Sequence, residues 1–328
     1  MKWVLGLLLG TVAYGQIDEI SAERMRAHVR FLASDLLEGR GVGARGGDLA
    51  TEYIATQFAL AGLNPAGDNG TWFQKFTLVG ATPQASTTLS ATASAGGAKN
   101  LTFQWLNDFV GVTYRQQPSV SVDADAVFVG HGITAPEYQW DDYKGVDVRG
   151  KVVVLFTGEP PSTDPKFFTG EALTYYGRWS YKYEEATRHG AVAAIIIHTT
   201  PTASYGWNVV RSSWAVEDLG NRLQPNEPSL GFAGWVTTEA GQKIVASVGK
   251  SVEDLLKMAD ARGFQAMPMP LRFRIKADSK IREIQTRNVV GKIEGSDPVL
   301  RDEAVMFSAH WDHLGIGEAI NEIGRAHV

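Results

Sequence analysis

Apolar side chains recur every three to four residues near the start of the chain, which is the spacing of one face of a helix. Met25 and Val29 follow Ser21 at this spacing, and serine is a favoured helix N-cap, so a helix is predicted to begin at Ser21. A second helix is predicted over 48–61, because Gly62 follows it as a stop signal.

The middle of the chain alternates between unbroken apolar runs and helical periodicity. Residues 152–156 read VVVLF, residues 180–189 have helical character, and a second apolar run covers 191–197. A strand, a helix and a strand at this spacing predict a βαβ unit in a largely buried sheet. Ser251 opens a capping-box pattern, which predicts a further helix that ends by Gly263.

The last third of the chain carries a different set of signals. Pro268 and Pro270 predict a linker, and the charged residues 272–287 have a strand-like pattern. A turn follows at 295–298, and the apolar run 304–309 predicts a buried strand.

Composition narrows the class of protein. The 328 residues are 44% hydrophobic and 20% charged with 35 glycines, which is typical of a globular chain of one large domain or two ordinary ones. The absence of cysteine excludes a cysteine nucleophile, a thiolate zinc site and disulfides. A net charge of −5 argues against nucleic acid as a partner.

The first fifteen residues, MKWVLGLLLGTVAYG, resemble a signal peptide. Lys2 precedes an apolar stretch, and Ala13 to Gly15 form a small-x-small cleavage pattern. The stretch is shorter than the ~20 apolar residues that span a bilayer, so no membrane anchor is expected. This predicts a secreted or periplasmic protein.

The last residues, 322–328, have no strand or helix period and match what sequencing-adapter DNA encodes in one frame. We therefore expect 322–328 to be a sequencing artefact, and the chain to be a truncated fragment.

The segment 308–317, SAHWDHLGIG, contains the most informative polar residues. His310, Asp312 and His313 lie between the predicted strand 304–309 and a glycine turn, where α/β sheets bind ligands. A neutral imidazole can hold Zn²⁺, and a nearby carboxylate can receive its other ring N–H and fix the tautomer.

Other motifs have a structural interpretation that is favoured over a functional one. Gly41-x-Gly43-x-x-Gly46 matches a dinucleotide fingerprint, but it follows a helix rather than a strand and predicts a flexible loop. His131 is predicted to be a turn residue and His198 a hydrogen-bonded loop histidine. Residues 140–143 predict a solvated loop with aromatic anchors, with a calcium site as the alternative.

Three segments carry a resemblance to a known family. They are RFLASDLLEGRGVGARGGDLATEYIATQFALAGLNPAG, then VFVGHGITAPEYQWDDYKGVDVRGKVVVLF with YKYEEATRHGAVAAIII, and NVVGKIEGSDP leading into VMFSAHWDHLGIG. The chain resembles secreted di-zinc aminopeptidases and their glutamate-carboxypeptidase-like relatives (metallopeptidase family twenty-eight), in the variant with a protease-associated domain.

The resemblance implies an α/β fold, an incomplete αβα-sandwich zinc-peptidase domain with an inserted α+β protease-associated domain. It implies a signal peptide at 1–15, the first part of the peptidase domain at 16–105, the protease-associated insertion at 106–270 and the start of the zinc-peptidase core at 271–321.

The resemblance also implies the chemistry. His310 would be a zinc ligand and Asp312 the catalytic carboxylate that orients it, whereas His313 is not usually a ligand. The complete enzyme would hold two zinc ions that activate a water, and would act on a peptide substrate, as an aminopeptidase or a carboxypeptidase. The other ligands are expected beyond this chain, which would leave at most one partial zinc site and no appreciable activity. The oligomeric state stays open.

Two other functions are alternatives to that of a zinc peptidase. A metallo-β-lactamase-like hydrolase has the motif H-x-H-x-D-H, but Ser308 stands where its first histidine would be. The other rival is a non-catalytic peptide-binding module, with the protease-associated region as its working part. Zinc stoichiometry would separate these readings.

Overall fold

The computed structural model describes residues 20–93, 100–320 and 323–327. Contacts divide the chain into two compact units. The first unit contains the chain up to Phe76 and from Thr286 onward, and the second unit is Thr77–Gln285. The predicted signal peptide, residues 1–15, lies outside the described residues.

Helices are distributed over both units. The α-helices of the described residues are α1 Ala22–Leu32, α2 Arg45–Leu60, α3 Trp179–Arg188, α4 Thr200–Ala203, α5 Trp207–Trp214, α6 Thr238–Val245 and α7 Val252–Ala259. Short 3₁₀ helices cover Asp35–Arg40, Asp68–Gly70, Pro136–Tyr138, Tyr175–Gly177 and Ala246–Val248. No helix in the described ranges combines the length and the apolar character needed to cross a membrane.

Strands occur in both units. The strands of the described residues are β1 Asn64–Pro65, β2 Phe73–Pro83, β3 Thr88–Ala93, β4 Leu101–Phe103, β5 Phe109–Val112, β6 Ser119–Phe128, β7 Thr134–Ala135, β8 Trp140–Asp141, β9 Val152–Phe156, β10 Ala193–Ile197, β11 Asp218–Asn221, β12 Phe232–Val236, β13 Met267–Val289, β14 Gly291–Lys292, β15 Ile316–Ile320 and β16 Ile323–His327.

The second unit is built on one mixed sheet with the order β11-β2-β13-β6-β9-β10-β12-β5, and β3 pairs with both β13 and β4. The strands β6, β9, β10 and β12 run parallel to their neighbours in that group, whereas β5 and β13 are antiparallel to theirs. The prediction of a mixed α/β protein is therefore confirmed.

The βαβ unit is confirmed, and its bounds shift by at most two residues at either end. β9 and β10 pair in parallel, with Val154 opposite Ile195, and α3 connects them. Both strands are fully buried, which is why they have unbroken apolar runs rather than alternating polar residues.

The two faces of this sheet have separate hydrophobic cores. Val152 and Val154 pack in one core with residues of α6 and α7, and Val153 and Leu155 pack in the other with residues of α3 and α5. Because successive strand side chains point to opposite faces, one apolar run supplies both cores.

The prediction of a linker at Pro268 and Pro270 is wrong, since both prolines lie inside β13. Pro268 lies opposite Val127 of β6, and the register shifts between Met269 and Arg272. Proline has no N–H for the ladder, and a local irregularity of this kind accommodates it within a strand.

The second unit is wider than the insertion predicted at 106–270. Strand β3 belongs to it because Ala91 pairs with Phe273 of β13, so the chain from Thr77 joins the sheet before the predicted boundary. The identity of this unit as a protease-associated domain stays a prediction.

The first unit contains the two helices predicted near the start of the chain. The Oγ of Ser21 accepts a hydrogen bond from the backbone N–H of Arg24 at 3.3 Å and caps α1. Helix α1 has no buried residue, and its apolar side chains Met25 and Val29 are exposed. The pattern therefore predicted the helix correctly, but the apolar face is not covered by the described residues.

The prediction of a buried strand at 304–309 is wrong. The segment has no regular structure, and its apolar side chains Val305, Met306 and Phe307 are almost fully exposed. A strand needs a neighbour for its backbone N–H and C=O groups, and no described strand pairs with this segment.

Part of the segment 322–328 forms regular structure although its sequence has no strand or helix period. Strand β16, Ile323–His327, pairs with β15 in an antiparallel arrangement. Backbone pairing of two adjacent extended segments is enough to form such a hairpin. The adapter origin of these residues stays a prediction.

Candidate functional site

The segment that contains His310, Asp312 and His313 is held against the 3₁₀ helix Asp35–Arg40 by hydrogen bonds. Arg40 Nε donates to the backbone oxygen of Trp311 at 2.9 Å, and the backbone N–H of His313 donates to the backbone oxygen of Arg40 at 3.1 Å. Trp311 Nε1 also donates to the backbone oxygen of Arg287 at 3.0 Å. The segment is therefore fixed in place although it is not part of a sheet.

Glycines allow this close approach. The backbone N–H of Gly315 donates to the oxygen of Gly39 at 3.0 Å, and a Cβ on Gly39 would lie 2.4 Å from the oxygen of Gly315. Gly39 also has a φ of +66°, which other residues adopt only with strain. A Cβ on Gly47 would lie 2.7 Å from the ring of Trp311. The sequence of the glycine-rich segment 39–47 predicted only a loop.

The geometry brings His310 and Asp312 together. Nδ1 of His310 lies 2.8 Å from the backbone oxygen of Asp312 and 3.5 Å from its Oδ1. A carbonyl oxygen only accepts, so Nδ1 carries a proton in this contact, and in the neutral imidazole Nε2 then has the free lone pair. The acceptor that is closer to His310 is thus the main chain of Asp312 and not the carboxylate that the sequence suggested.

The His310 imidazole has the form that a metal ligand requires. Its side chain is 78% exposed, and Nε2 has no hydrogen-bond partner among the described residues. A catalytic zinc takes three protein ligands and a water, however, and no group of three His, Cys, Asp or Glu side chains placed to hold a metal occurs in residues 20–93, 100–320 and 323–327. These residues fit one ligand position and not a whole site.

Two other histidines have structural roles. His131 lies in a turn, and its Nε2 is 2.8 Å from Asp260 Oδ1 while its Nδ1 is 3.1 Å from the oxygen of Thr157. His198 Nε2 is 2.9 Å from the oxygen of Tyr205, and burial lowers the pKa of this imidazole. Both structural interpretations from the sequence are confirmed.

The prediction of a solvated loop at 140–143 is wrong at its centre. Asp142 is only 1% exposed, Oδ2 accepts from the backbone N–H of Ile133 at 3.0 Å, and Oδ1 accepts from Trp140 Nε1 at 2.8 Å. Burial raises the pKa of the Asp142 carboxyl. Because both carboxylate oxygens accept hydrogen bonds from the protein, Asp142 is tied into the fold.

The comparisons with known proteins point to the same segment. The family model described as Peptidase family M28 matches residues 288–325, which include His310 and Asp312. The resemblance found in the sequence is thereby confirmed over this part of the chain. No curated protein matches the chain.

Solved structures of aminopeptidases are among those that match. The aminopeptidase from Aneurinibacillus sp. strain AM-1 is 20% identical with a TM-score of 0.39, and the match covers 85% of this chain and 49% of that one. BSAP, a zinc aminopeptidase from Bacillus subtilis, is 12% identical with a TM-score of 0.25, and the match covers 81% of this chain and 46% of that one. The chain spans about half the length of these two structures.

Proposed function

We propose that this chain belongs to a zinc-dependent aminopeptidase, in which His310 binds zinc through Nε2 and Asp312 holds the imidazole. The observation that carries the proposal is the contact between Nδ1 of His310 and the backbone oxygen of Asp312. Nδ1 donates to the main chain at 2.8 Å, so the lone pair of Nε2 is directed away from Asp312 and free for a metal. The match of residues 288–325 to a peptidase family supports this role of His310, because the matched residues include it.

The segment around His310 is built to keep that imidazole in place. Trp311 is bound through its backbone oxygen to Arg40 and through its indole N–H to Arg287, so the residue next to His310 cannot turn freely. A preorganised ligand loses less entropy on binding a metal, and the groups around a ligand tune its affinity in this way. The contribution of this chain is thus to fix one ligand before metal arrives.

Zinc would supply a Lewis acid that lowers the pKa of a bound water. The described residues provide one oriented donor, so we derive no hydrolytic step from them. We expect the 328-residue chain on its own to bind zinc weakly and to have no appreciable aminopeptidase activity. The complete enzyme would use two zinc ions and would remove N-terminal residues from peptides.

The remaining parts of the proposal concern the organisation of the chain. We assign residues 16–105 and 271–321 to the peptidase domain and 106–270 to a protease-associated insertion, with export directed by residues 1–15. The second compact unit, Thr77–Gln285, has its own sheet and two cores, which supports a separate inserted domain.

Zinc binding by matched variants tests the proposed function. Equilibrium dialysis of the 328-residue chain should give one weak zinc site or none, and His310→Ala should bind less zinc than His313→Ala. Release of p-nitroaniline from amino-acid p-nitroanilides should stay at the background rate. Two tightly held zinc ions per chain, or metal-dependent release of the amino acid, would contradict the proposal that this chain provides only one ligand of the zinc site.

A further inference from the structure

The second unit contains two neighbouring cavities that the proposed peptidase chemistry does not use. A cavity of about 480 Å³ lies among residues of β2, β11 and α3, and a second of about 350 Å³ is lined mainly by residues of α5. Asp218 and Trp179 line both cavities. Each volume lies within the ~300–1,000 Å³ that is usual for small-molecule sites.

Aromatic rings form the walls of the larger cavity. Tyr114 and Tyr183 pack edge to face with ring centroids 5.9 Å apart, and Trp179 lies 6.2 Å from Tyr183. Tyr183 is fixed because its hydroxyl donates to the backbone oxygen of Gly234 at 3.0 Å. The faces of such rings attract cations and also accept the alkyl part of a side chain.

The charges that line the cavity do not cancel. Glu184 accepts from Tyr175 at 2.7 Å and pairs with Arg188 at 3.0 Å, and Arg188 also pairs with Glu185. The carboxylate of Asp218 accepts no hydrogen bond and makes no ion pair within the described part of the chain. The charged residues that line the cavity are Glu184, Arg188 and Asp218, so the lining has a net charge of −1.

The pKa shifts of groups at the cavity agree with a negatively charged lining. Burial raises the pKa of the Tyr114 hydroxyl, and the charges of Asp218 and Glu184 raise it further. Asp218 is an exposed residue that lines the cavity, and partial burial of its carboxyl raises its pKa. A carboxylate that has lost part of its hydration gains most from a cationic partner, whereas a neutral apolar ligand would desolvate it without compensation.

We propose that the larger cavity binds an organic cation of the kind carried by lysine and arginine side chains. The ammonium or guanidinium group would pair with Asp218, and the alkyl stem would lie against Trp179 and Tyr114. A basic peptide side chain and a free aliphatic amine share this chemistry. The site is independent of His310 and of the proposed peptidase activity.

Calorimetric titration of the full chain tests this site with three probes. Nα-acetyl-lysine N-methylamide represents a peptide side chain, cadaverine represents a free amine, and Nα-acetyl-norleucine N-methylamide is the uncharged match. We expect saturable one-to-one binding of at least one cationic probe and none of the norleucine probe. The stronger of the two cations identifies the source of the ligand.

Variants locate the binding. Asp218→Asn should weaken the cationic probe about three- to fivefold, as expected for the loss of an ion pair at an exposed carboxylate. Trp179→Leu should also weaken it, which keeps the test valid if Asp218→Asn does not fold. Glu253→Gln removes an exposed carboxylate elsewhere and should leave binding unchanged. Equal binding of the norleucine probe, unchanged binding in both cavity variants, or no saturable binding of any probe would overturn the proposal.

Discussion

Nδ1 of His310 donates a hydrogen bond to the backbone oxygen of Asp312 at 2.8 Å, and this contact fixes which nitrogen of the imidazole is free. The carboxylate Oδ1 of Asp312 lies further away, at 3.5 Å. The main chain therefore sets the tautomer, and the side chain of Asp312 adds a negative charge beside it. A metal that binds His310 would do so through Nε2.

Substitution of Gly39 tests whether close glycine contacts hold the His310 segment. Gly39→Ala should lower the urea midpoint, because its Cβ would lie 2.4 Å from the oxygen of Gly315 and its φ is positive. Gly62→Ala is the matched control, since Gly62 has a φ of +78° but no atom within 4 Å of a Cβ. The control should cost about 1 kcal/mol and Gly39→Ala at least about 1 kcal/mol more. Equal costs would show that the contact with Gly315 is unimportant.

Two phenylalanines test the correction of the predicted strand 304–309. Phe307 is 95% exposed and Phe273 is fully buried in the sheet of the second unit. Phe307→Ala should change the free energy of unfolding by less than about 0.5 kcal/mol, and Phe273→Ala should lower it by about 3–5 kcal/mol. Chemical denaturation measures both. A loss of several kcal/mol in Phe307→Ala would mean that this segment packs in a core after all.

The buried amine of Lys182 makes stability depend on pH. Its Nζ donates to the backbone oxygen of Gly158 at 2.8 Å, and burial lowers its pKa below the ordinary 10.5, although Asp142 and Glu159 oppose this. Between the folded and the unfolded pKa the unfolded chain binds more protons, so the free energy of unfolding should rise with pH above neutrality. The slope is at most about 1.4 kcal/mol per pH unit for one proton.

Urea denaturation between pH 7 and 9 checks this behaviour. Lys182→Met should remove the rise, whereas Lys257→Met, at an exposed position paired with Glu253, should keep it. If wild type and Lys182→Met changed in parallel with pH, the amine of Lys182 would not be the source of the dependence.

The sequence predicted those parts of the fold in which local pattern and burial agree. The runs at 152–156 and 191–197 were identified because a strand buried on both faces has to be apolar throughout. The run at 304–309 is also mostly apolar and yet is exposed, since an apolar pattern does not supply neighbouring strands. Periodicity describes a segment, whereas pairing depends on the rest of the chain.

The candidate site was predictable to a similar extent. Its two polar residues were found from the spacing of His310 and Asp312, but the contacts of Arg40 and Gly39 with this segment join residues about 270 positions apart. The glycines of the segment 39–47 are the only feature of the local sequence that indicates this close contact with the His310 segment. Asp142 was wrongly predicted to lie in a solvated loop. Hydrogen bonds from Ile133 and Trp140 to its carboxylate allow this polar residue to lie in the interior.

The central claim is that His310 is a zinc ligand through Nε2, and imidazole ¹⁵N NMR during a zinc titration tests it most directly. In the free protein we predict that His310 is the Nδ1–H tautomer, and that its Nε2 resonance responds first when Zn²⁺ is added. His310→Ala identifies the signal, and His313→Ala should leave the response in place. An Nε2–H tautomer, or a zinc response confined to other histidines, would contradict the account.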